Sequence, residues 1–403
     1  MISWETNDPA GAQVRVVPEG DDEKLVTEAG KSGQLEIPWI TDSRVYDFRL
    51  YGASRPDVVL DCVTARMAIE SAPTALDQLA DEVNRGTIDV RELSRFMEAV
   101  IPRCLKSAAV PELFRRWERS GFHVTPVHFY QPIPDTQSLP ETLWNRPSDL
   151  PGLQMNDSTQ LELVRKIFPK FRGEYAQFPT ISSENESTFY VNNRPFGRVD
   201  ALVAYCMIRH FQPRLIIEVG SGFSSLILGM AAEKNKSSGV ISIDPFPRDF
   251  VRKGFPGMQS LIEKKVQDID LEFFSQLRSG DVLFIDSSHT VKIGGDVNYL
   301  FLEVLPRLVP GVIVHVHDVF LPFEYRRDWV LDECRFWSEQ YLLQAFLTFN
   351  SEFEVLMANS YLKHYHEKEL KAAFPALDRW EGGSFWMRRK PRESKDAADT
   401  VLQ

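Results

Sequence analysis

Leu215-Ile-Ile-Glu-Val-Gly-Ser-Gly-Phe-Ser-Ser225 decides the reading of this chain. Leu215 to Val219 is a short, mostly apolar run of the kind that makes a buried parallel strand. Glu218 stands one residue before its end. Gly220 and Gly222 then turn the backbone sharply, and Ser224-Ser225 opens a helix through Leu226, Ile227, Met230 and Ala231. Glycine has no Cβ, so it accepts positive φ and lets a ligand approach the main chain. The free amides of the helix start add partial positive charge there. Strand, glycine turn and helix in this order are how a doubly wound α/β sheet builds a nucleotide site. A dinucleotide fingerprint would place a third glycine where Ser225 stands. A purely structural turn is the plain alternative.

Downstream the alternation is regular. Strands are expected at 240–243, 260–265, 282–285, 312–316, 354–358 and 384–388, separated by helices at 248–253, 271–277, 297–308, 329–346 and 367–374. With the strand at Leu215 this makes seven, the pattern of an α/β, doubly wound sheet. In such a sheet ligands lie beyond the carboxyl ends of the strands. The second strand ends at Asp244, and Asp268 follows the third. The fourth ends Phe284-Ile-Asp-Ser-Ser-His289 and the fifth His315-Val-His-Asp318, so Asp286, His289, His317 and Asp318 should share one rim. His315 lies deeper and reads as a buried, hydrogen-bonded histidine. Asp296 reads as a cap for the helix after Gly294-Gly295. Upstream, Tyr190, Asn192, Arg198 and Asp200 either face the ligand or cap the helix at 199–210.

Glu218-Val-Gly220-Ser221-Gly222 resembles motif I of class I S-adenosylmethionine-dependent methyltransferases, and the resemblance covers roughly 180–390, with its core at 194–390. It implies a seven-stranded methyltransferase sheet whose last strand is antiparallel. It also implies S-adenosyl-L-methionine as cofactor, held by Glu218, Gly220, Ser221, Gly222, Ser224, Asp244, Asp268, Asp286 and Ser287. In that family the carboxylate at Asp244 receives the ribose hydroxyls, and the one at Asp268 meets the adenine amino group. Methyl transfer from a sulfonium needs a positioned acceptor and, for a hydroxyl, removal of its proton. His289 and His317, beside Asp318, fit that base role. The alternative is Mg2+ held by Asp286, Asp318 and His317, lowering the hydroxyl pKa. Catechol-type enzymes of this fold bind magnesium with an Asp after each of these strands, but their second Asp precedes Asn, and here Val319 follows. The nearer group ends its fourth strand Asp-x-x-His and its fifth His-Asp. The function implied is O-methylation of a small-molecule or glycan acceptor. The rivals are an NAD-dependent oxidoreductase or epimerase and a non-catalytic binding protein.

The remainder of the 403 residues reads as additions to that core. Residues 1–67 alternate with period two, as in Gln34–Trp39, then Tyr46, Phe48 and Leu50, then Val58, Leu60 and Cys62, which suggests a small β-sandwich. The stretch from Arg44 to Gly52 resembles fibronectin type III or immunoglobulin-like modules. Over 68–121 the period becomes helical, with Leu76, Leu79, Ala80 and Val83 after a Thr74 cap. Leu93, Phe96, Met97 and Val100 follow Asp89, and Leu113, Phe114 and Trp117 follow Pro111. This is a helical connector to a methyltransferase domain at 122–403. A net charge of −11 argues against nucleic acid and anionic membrane as partners. Four spread cysteines give no disulfide framework. The N-terminus lacks a signal-peptide pattern, and no apolar run approaches the ~20 residues of a membrane helix. A cytoplasmic protein is expected. Oligomeric state is not readable.

Overall fold

In a computed structural model of the chain, the described residues are 2–37, 44–66, 75–86, 89–107, 109–183, 187–236 and 239–391. Trp39 and the expected cap Thr74 lie outside them. The chain divides into two units, Met1–Pro126 and Val127–Gln403.

The first unit is antiparallel. Strands β1 (Ile2–Glu5), β2 (Ala12–Pro18), β3 (Lys24–Ala29), β4 (Ser32–Leu35), β5 (Val45–Gly52) and β6 (Arg55–Arg66) form a β1-β4 pair and a β3-β2-β5-β6 sheet. Alternation sets the inner face: Val14, Val16, Tyr46 and Phe48 are buried, and Ile2, Trp4 and Leu50 pack on them. Three helices follow, Ala75–Asn84, Val90–Leu105 and Val110–Arg119. Asp89 caps the second by accepting the Arg91 N–H at 3.0 Å.

The second unit is built on seven strands, β7 (Leu215–Val219), β8 (Gly239–Ile243), β9 (Met258–Ile262), β10 (Val282–Ile285), β11 (Ile313–Val316), β12 (Phe353–Ala358) and β13 (Phe385–Arg389). Their order is β12-β13-β11-β10-β7-β8-β9. The five strands from β11 to β9 pair in parallel, while β13 is antiparallel to both β11 and β12. The order reverses between β7 and β10, so the crevice at their carboxyl ends is the switch point where such sheets bind ligands. Every residue of β7, β10 and β11 is buried, because apolar layers cover both sheet faces. Ile216, Phe284 and Trp386 belong to one layer, and Ile217, Leu283 and Val314 to the other.

The structure departs from the sequence reading at several elements, among them the helix expected at 271–277, which is a 3-10 turn over Leu271–Gln276, and the additional helix Asn359–Tyr365. The third strand ends at Ile262, before the exposed Lys264 and Lys265. The helix expected at 297–308 begins as an α-turn at Asp296–Asn298, widens to π winding over Tyr299–Val304 and tightens to a 3-10 turn at Leu305–Arg307. The helix expected at 329–346 is two helices, Arg327–Leu331 and Glu339–Leu347, joined by a loop in which Cys334 takes a left-handed φ of 55°. That break carries Trp337, Ser338 and Glu339 to the sheet rim. Among the described residues no helix is long and apolar enough to cross a membrane.

Candidate active site

The turn after β7 is held from below. Glu218 is fully buried, its Oε1 accepting the Ser224 hydroxyl at 2.8 Å and its Oε2 accepting those of Ser225 at 2.7 Å and Ser242 at 2.6 Å. Burial pushes this carboxyl up to about 7, against the three hydroxyls that favour the anion. Glu218 and Ser224, which the resemblance assigns to the cofactor, therefore point into the protein and shape the turn instead. Ser225 also accepts the Gly222 N–H at 3.0 Å.

Above this support the turn is open. A Cβ on Gly220 (φ +83°) would lie 1.8 Å from the Asp286 carbonyl oxygen, so only glycine lets β7 and β10 approach there. A Cβ on Gly222 would meet nothing within 4 Å. Gly222 thus faces free space at the start of the 13-residue helix Phe223–Asn235, as a cradle for a nucleoside requires. Asp244, at the end of β8, accepts the Ser221 N–H at 3.0 Å and hydroxyl at 2.6 Å on Oδ2, and the Phe246 N–H at 2.8 Å on Oδ1. It is half-buried, and its Oδ1 keeps a lone pair for a ligand hydroxyl. Asp268 sits exposed in the 3-10 turn Val266–Asp268. Ser287 follows Asp286, and its hydroxyl has no hydrogen-bond partner among the described residues.

The ends of β10 and β11 bring one histidine and two aspartates together. His289 Nε2 lies 3.3 Å from Asp286 Oδ1 and 3.6 Å from Asp318 Oδ2. Donor atoms of these three side chains all lie within 4.8 Å of one another. His289 (φ 56°) and Asp318 (φ 55°) are both left-handed, a conformation that non-glycine residues hold only when their surroundings compel it. The other imidazole nitrogen, His289 Nδ1, is 2.9 Å from Glu339 Oε2. Trp337 covers the ring with centroids 4.4 Å apart. Burial alone would depress the His289 pKa, but Asp286, Glu339 and Asp318 outweigh it and hold the ring well above the ordinary range. Asp286 is held below the usual carboxylate range because His317 and His289 overcome its burial.

His317 takes a different place. Its Nε2 is 3.5 Å from Asp318 Oδ1, its ring packs on Phe196, and its Nδ1 is buried without a partner among the described residues. It backs Asp318, and the three-residue cluster contains His289 in its stead. His315 is fully buried and bonds the Ser384 hydroxyl at 3.0 Å. Asp200 accepts the backbone N–H groups of Gly383 at 3.1 Å and Ser384 at 2.8 Å, and so pins the start of β13. Asp296 does not cap its helix. It accepts the Ser288 N–H at 3.0 Å and hydroxyl at 2.6 Å, tying down the loop that carries His289. Sequence reasoning missed Glu339 and Trp337, because the helix expected at 329–346 left both inside a continuous apolar periodicity.

Residues 217–319 match the family model of a methyltransferase domain. The chain is 34% identical over 165 residues to an uncharacterized protein of Archaeoglobus fulgidus, a match that covers 38% of this chain and 72% of that one. Among solved structures it is similar to the O-methyltransferase from Bacillus cereus in complex with SAH, at 14% identity and a TM-score of 0.26, over 58% of this chain and 90% of that one. It is also similar to the 16S rRNA (adenine(1408)-N(1))-methyltransferase from Catenulisporales acidiphilia, at 10% identity and a TM-score of 0.23, over 53% and 98%.

Proposed function

The chain belongs to the same family as the Archaeoglobus fulgidus protein and carries a methyltransferase domain, and on that premise we propose a class I, S-adenosylmethionine-dependent O-methyltransferase. The observation that carries this reading is His289 Nε2, set between Asp286 and Asp318 at the strand ends beside the glycine turn. Bound S-adenosylmethionine would supply an electrophilic methyl group on a good leaving group. Ser221 and Gly222 would hold its nucleoside against the helix start, and Asp244 Oδ1 would accept from the ribose. Because its neighbours raise its pKa, His289 is a base only where the pH is alkaline enough to leave the ring neutral; Nε2 would then take the proton of the acceptor hydroxyl as the oxygen–methyl bond forms and the methyl–sulfur bond breaks. Asp286 and Asp318 would stabilise the imidazolium so produced. The acceptor is a small molecule or glycan hydroxyl, and the fibronectin III or immunoglobulin-like module at 1–67, which carries none of these residues, would be an accessory binding module.

A second reading has its own support. Two carboxylate oxygens and an imidazole nitrogen within 4.8 Å could hold a divalent cation: the carboxylates suit Mg2+ or Mn2+, and the imidazole favours a softer transition ion over Mg2+. Asp286, His289 and Asp318 would then be its ligands, and the cation would lower the pKa of the acceptor hydroxyl. Calorimetric titration tests the cofactor assignment. S-adenosylhomocysteine should bind and NAD should not, and Asp244→Ala should weaken binding at least about tenfold, the worth of one charge-assisted hydrogen bond. Binding of NAD alone would overturn the assignment. Mn2+ titration then separates the two roles of His289: in the base reading His289→Ala leaves the ion's affinity unchanged, and in the ligand reading it does not.

A further inference from the structure

Glu339 is a buried carboxyl with one side-chain partner. It is 1% exposed, its Oε2 meets His289 Nδ1 at 2.9 Å, and its Oε1 has no hydrogen-bond partner among the described residues. Burying a carboxyl is costly unless it is paired and hydrogen-bonded, and here the His289 ring is its side-chain partner. The segment around it is fitted to His289 from several directions. The backbone N–H groups of Ser338 and Glu339 both donate to the His289 carbonyl, at 2.9 and 3.1 Å. The Ser338 hydroxyl accepts the Val291 N–H at 2.8 Å, and Trp337 covers the ring. Two main-chain bonds already hold the left-handed backbone of His289, so the carboxylate is not required for that. What it adds acts on the ring alone.

A neutral imidazole carries one proton on either nitrogen, and the bond made by one nitrogen decides the state of the other. Carboxylates, which only accept, face both nitrogens, but Glu339 Oε2 lies nearest, at 2.9 Å against 3.3 and 3.6 Å for the aspartate oxygens, so in the neutral ring Nδ1 donates to Glu339 and the lone pair is left on Nε2. Nε2 is the atom facing Asp286 and Asp318. We propose that Glu339 is a positioning residue that locks His289 in the Nδ1–H tautomer and aims the Nε2 lone pair at the reaction centre. This rests on the reading that His289 Nε2 is the working atom, and it holds whether that atom takes a proton or ligates a cation. Carboxylates behind ligating or basic histidines fix the tautomer in this way and typically contribute about 10–100-fold to metal affinity.

The test is nitrogen-15 NMR of the full chain labelled at histidine, at alkaline pH where the rings are neutral, with the His289 signals identified by their loss in His289→Ala. In the wild type His289 should carry its proton on Nδ1. Glu339→Gln keeps an acceptor oxygen and should keep that tautomer, while Glu339→Leu should shift the population toward Nε2–H. Calorimetric Mn2+ affinity, if the wild type binds the ion, should fall about tenfold or more in Glu339→Leu and recover in Glu339→Gln. A wild-type His289 protonated on Nε2 would overturn the proposal even if the leucine variant fails to fold. So would a leucine variant that folds with its tautomer unchanged. S-adenosylhomocysteine binding, measured on the same samples, reports separately on the methyltransferase reading: its absence in the wild type would remove that function and leave the tautomer result standing.

Discussion

Replacing Glu218 by Gln should flatten the pH dependence of stability and make the protein more stable above neutrality. The carboxyl is fully buried, and its pKa rises from 4.5 to about 7. At ~1.4 kcal/mol per pH unit that rise is worth about 3 kcal/mol. The folded-state value lies above the unfolded one, so the contribution is fully present below about pH 4.5 and is lost as pH climbs to about 7, after which it is constant. Gln cannot ionise and escapes the loss. Its carbonyl still accepts two of the three serine hydroxyls, and its amide donates to the third once that hydroxyl turns to accept. The assay is thermal unfolding of wild type and Glu218→Gln at about pH 5 and pH 8, where linkage places most of the change. At roughly 2 °C per kcal/mol for a unit of this size, the variant should gain about 6 °C on the wild type between those two conditions. Parallel pH profiles for the two proteins would refute the reasoning, because Glu218 would then be ionised no differently in the native and unfolded chains.

The two glycines of the turn should separate packing from ligand contact. Gly220→Ala drives a methyl into the Asp286 carbonyl and should unfold the second unit or lower its melting temperature severely. Gly222→Ala meets no atom within 4 Å, so it should leave stability unchanged and weaken S-adenosylhomocysteine binding in calorimetry; an unchanged affinity would show that no ligand lies over that residue. Asp318→Ala removes the carboxylate that faces both His289 and His317; in the cation reading it should abolish the calorimetric Mn2+ binding of the wild type while sparing S-adenosylhomocysteine, and Mn2+ affinity unchanged in the variant would refute that reading. Asp296→Ala breaks two bonds to Ser288 and should cost about 2 kcal/mol in denaturant unfolding, since each bond has an ionised acceptor. An effect below about 0.5 kcal/mol, the size of an ordinary surface substitution, would show that the loop needs no tie.

The sheet was legible because its signals are local. Buried parallel strands read as near-continuous apolar runs, and Leu215–Val219, Val282–Ile285 and Ile313–Val316 are such runs, interrupted by Glu218 in the first and His315 in the third. What periodicity does not carry is the direction of a side chain at a strand end. Glu218 stands next to the glycine turn in sequence, yet strand alternation turns it inward, where three serines from two elements meet it. Its partner Ser242 is 24 residues away and carries no motif. His317 and His289 looked equivalent as strand-terminal histidines. They are separated by backbone conformation, since the left-handed turn at His289 swings its ring back between the two aspartates.

The break at 332–338 is the feature on which the site depends most and the one least visible beforehand. Trp329, Val330, Phe336 and Trp337 continue a helical apolar pattern, with no proline or glycine between them to stop it. Tertiary contacts stop it instead. Trp329 packs edge-on against Trp337 with ring centroids 5.2 Å apart, and the Arg335 guanidinium lies over both rings, whereas an uninterrupted helix through 329–337 would set the two tryptophans about 12 Å apart along its axis, at roughly 1.5 Å of rise per residue. Folding the loop back on itself buries those rings together and restarts the helix at Glu339, one residue beyond Ser338, facing His289. Propensity favours the longer helix by a few tenths of a kcal/mol per residue, whereas stacking aromatic and guanidinium faces returns about 0.5–1.5 kcal/mol for each contact. The local preference loses. The same exchange that hid the helix break in the sequence therefore sets the carboxylate of Glu339 behind the imidazole, and a variant that restored a continuous helix through Cys334 would withdraw Glu339 from His289.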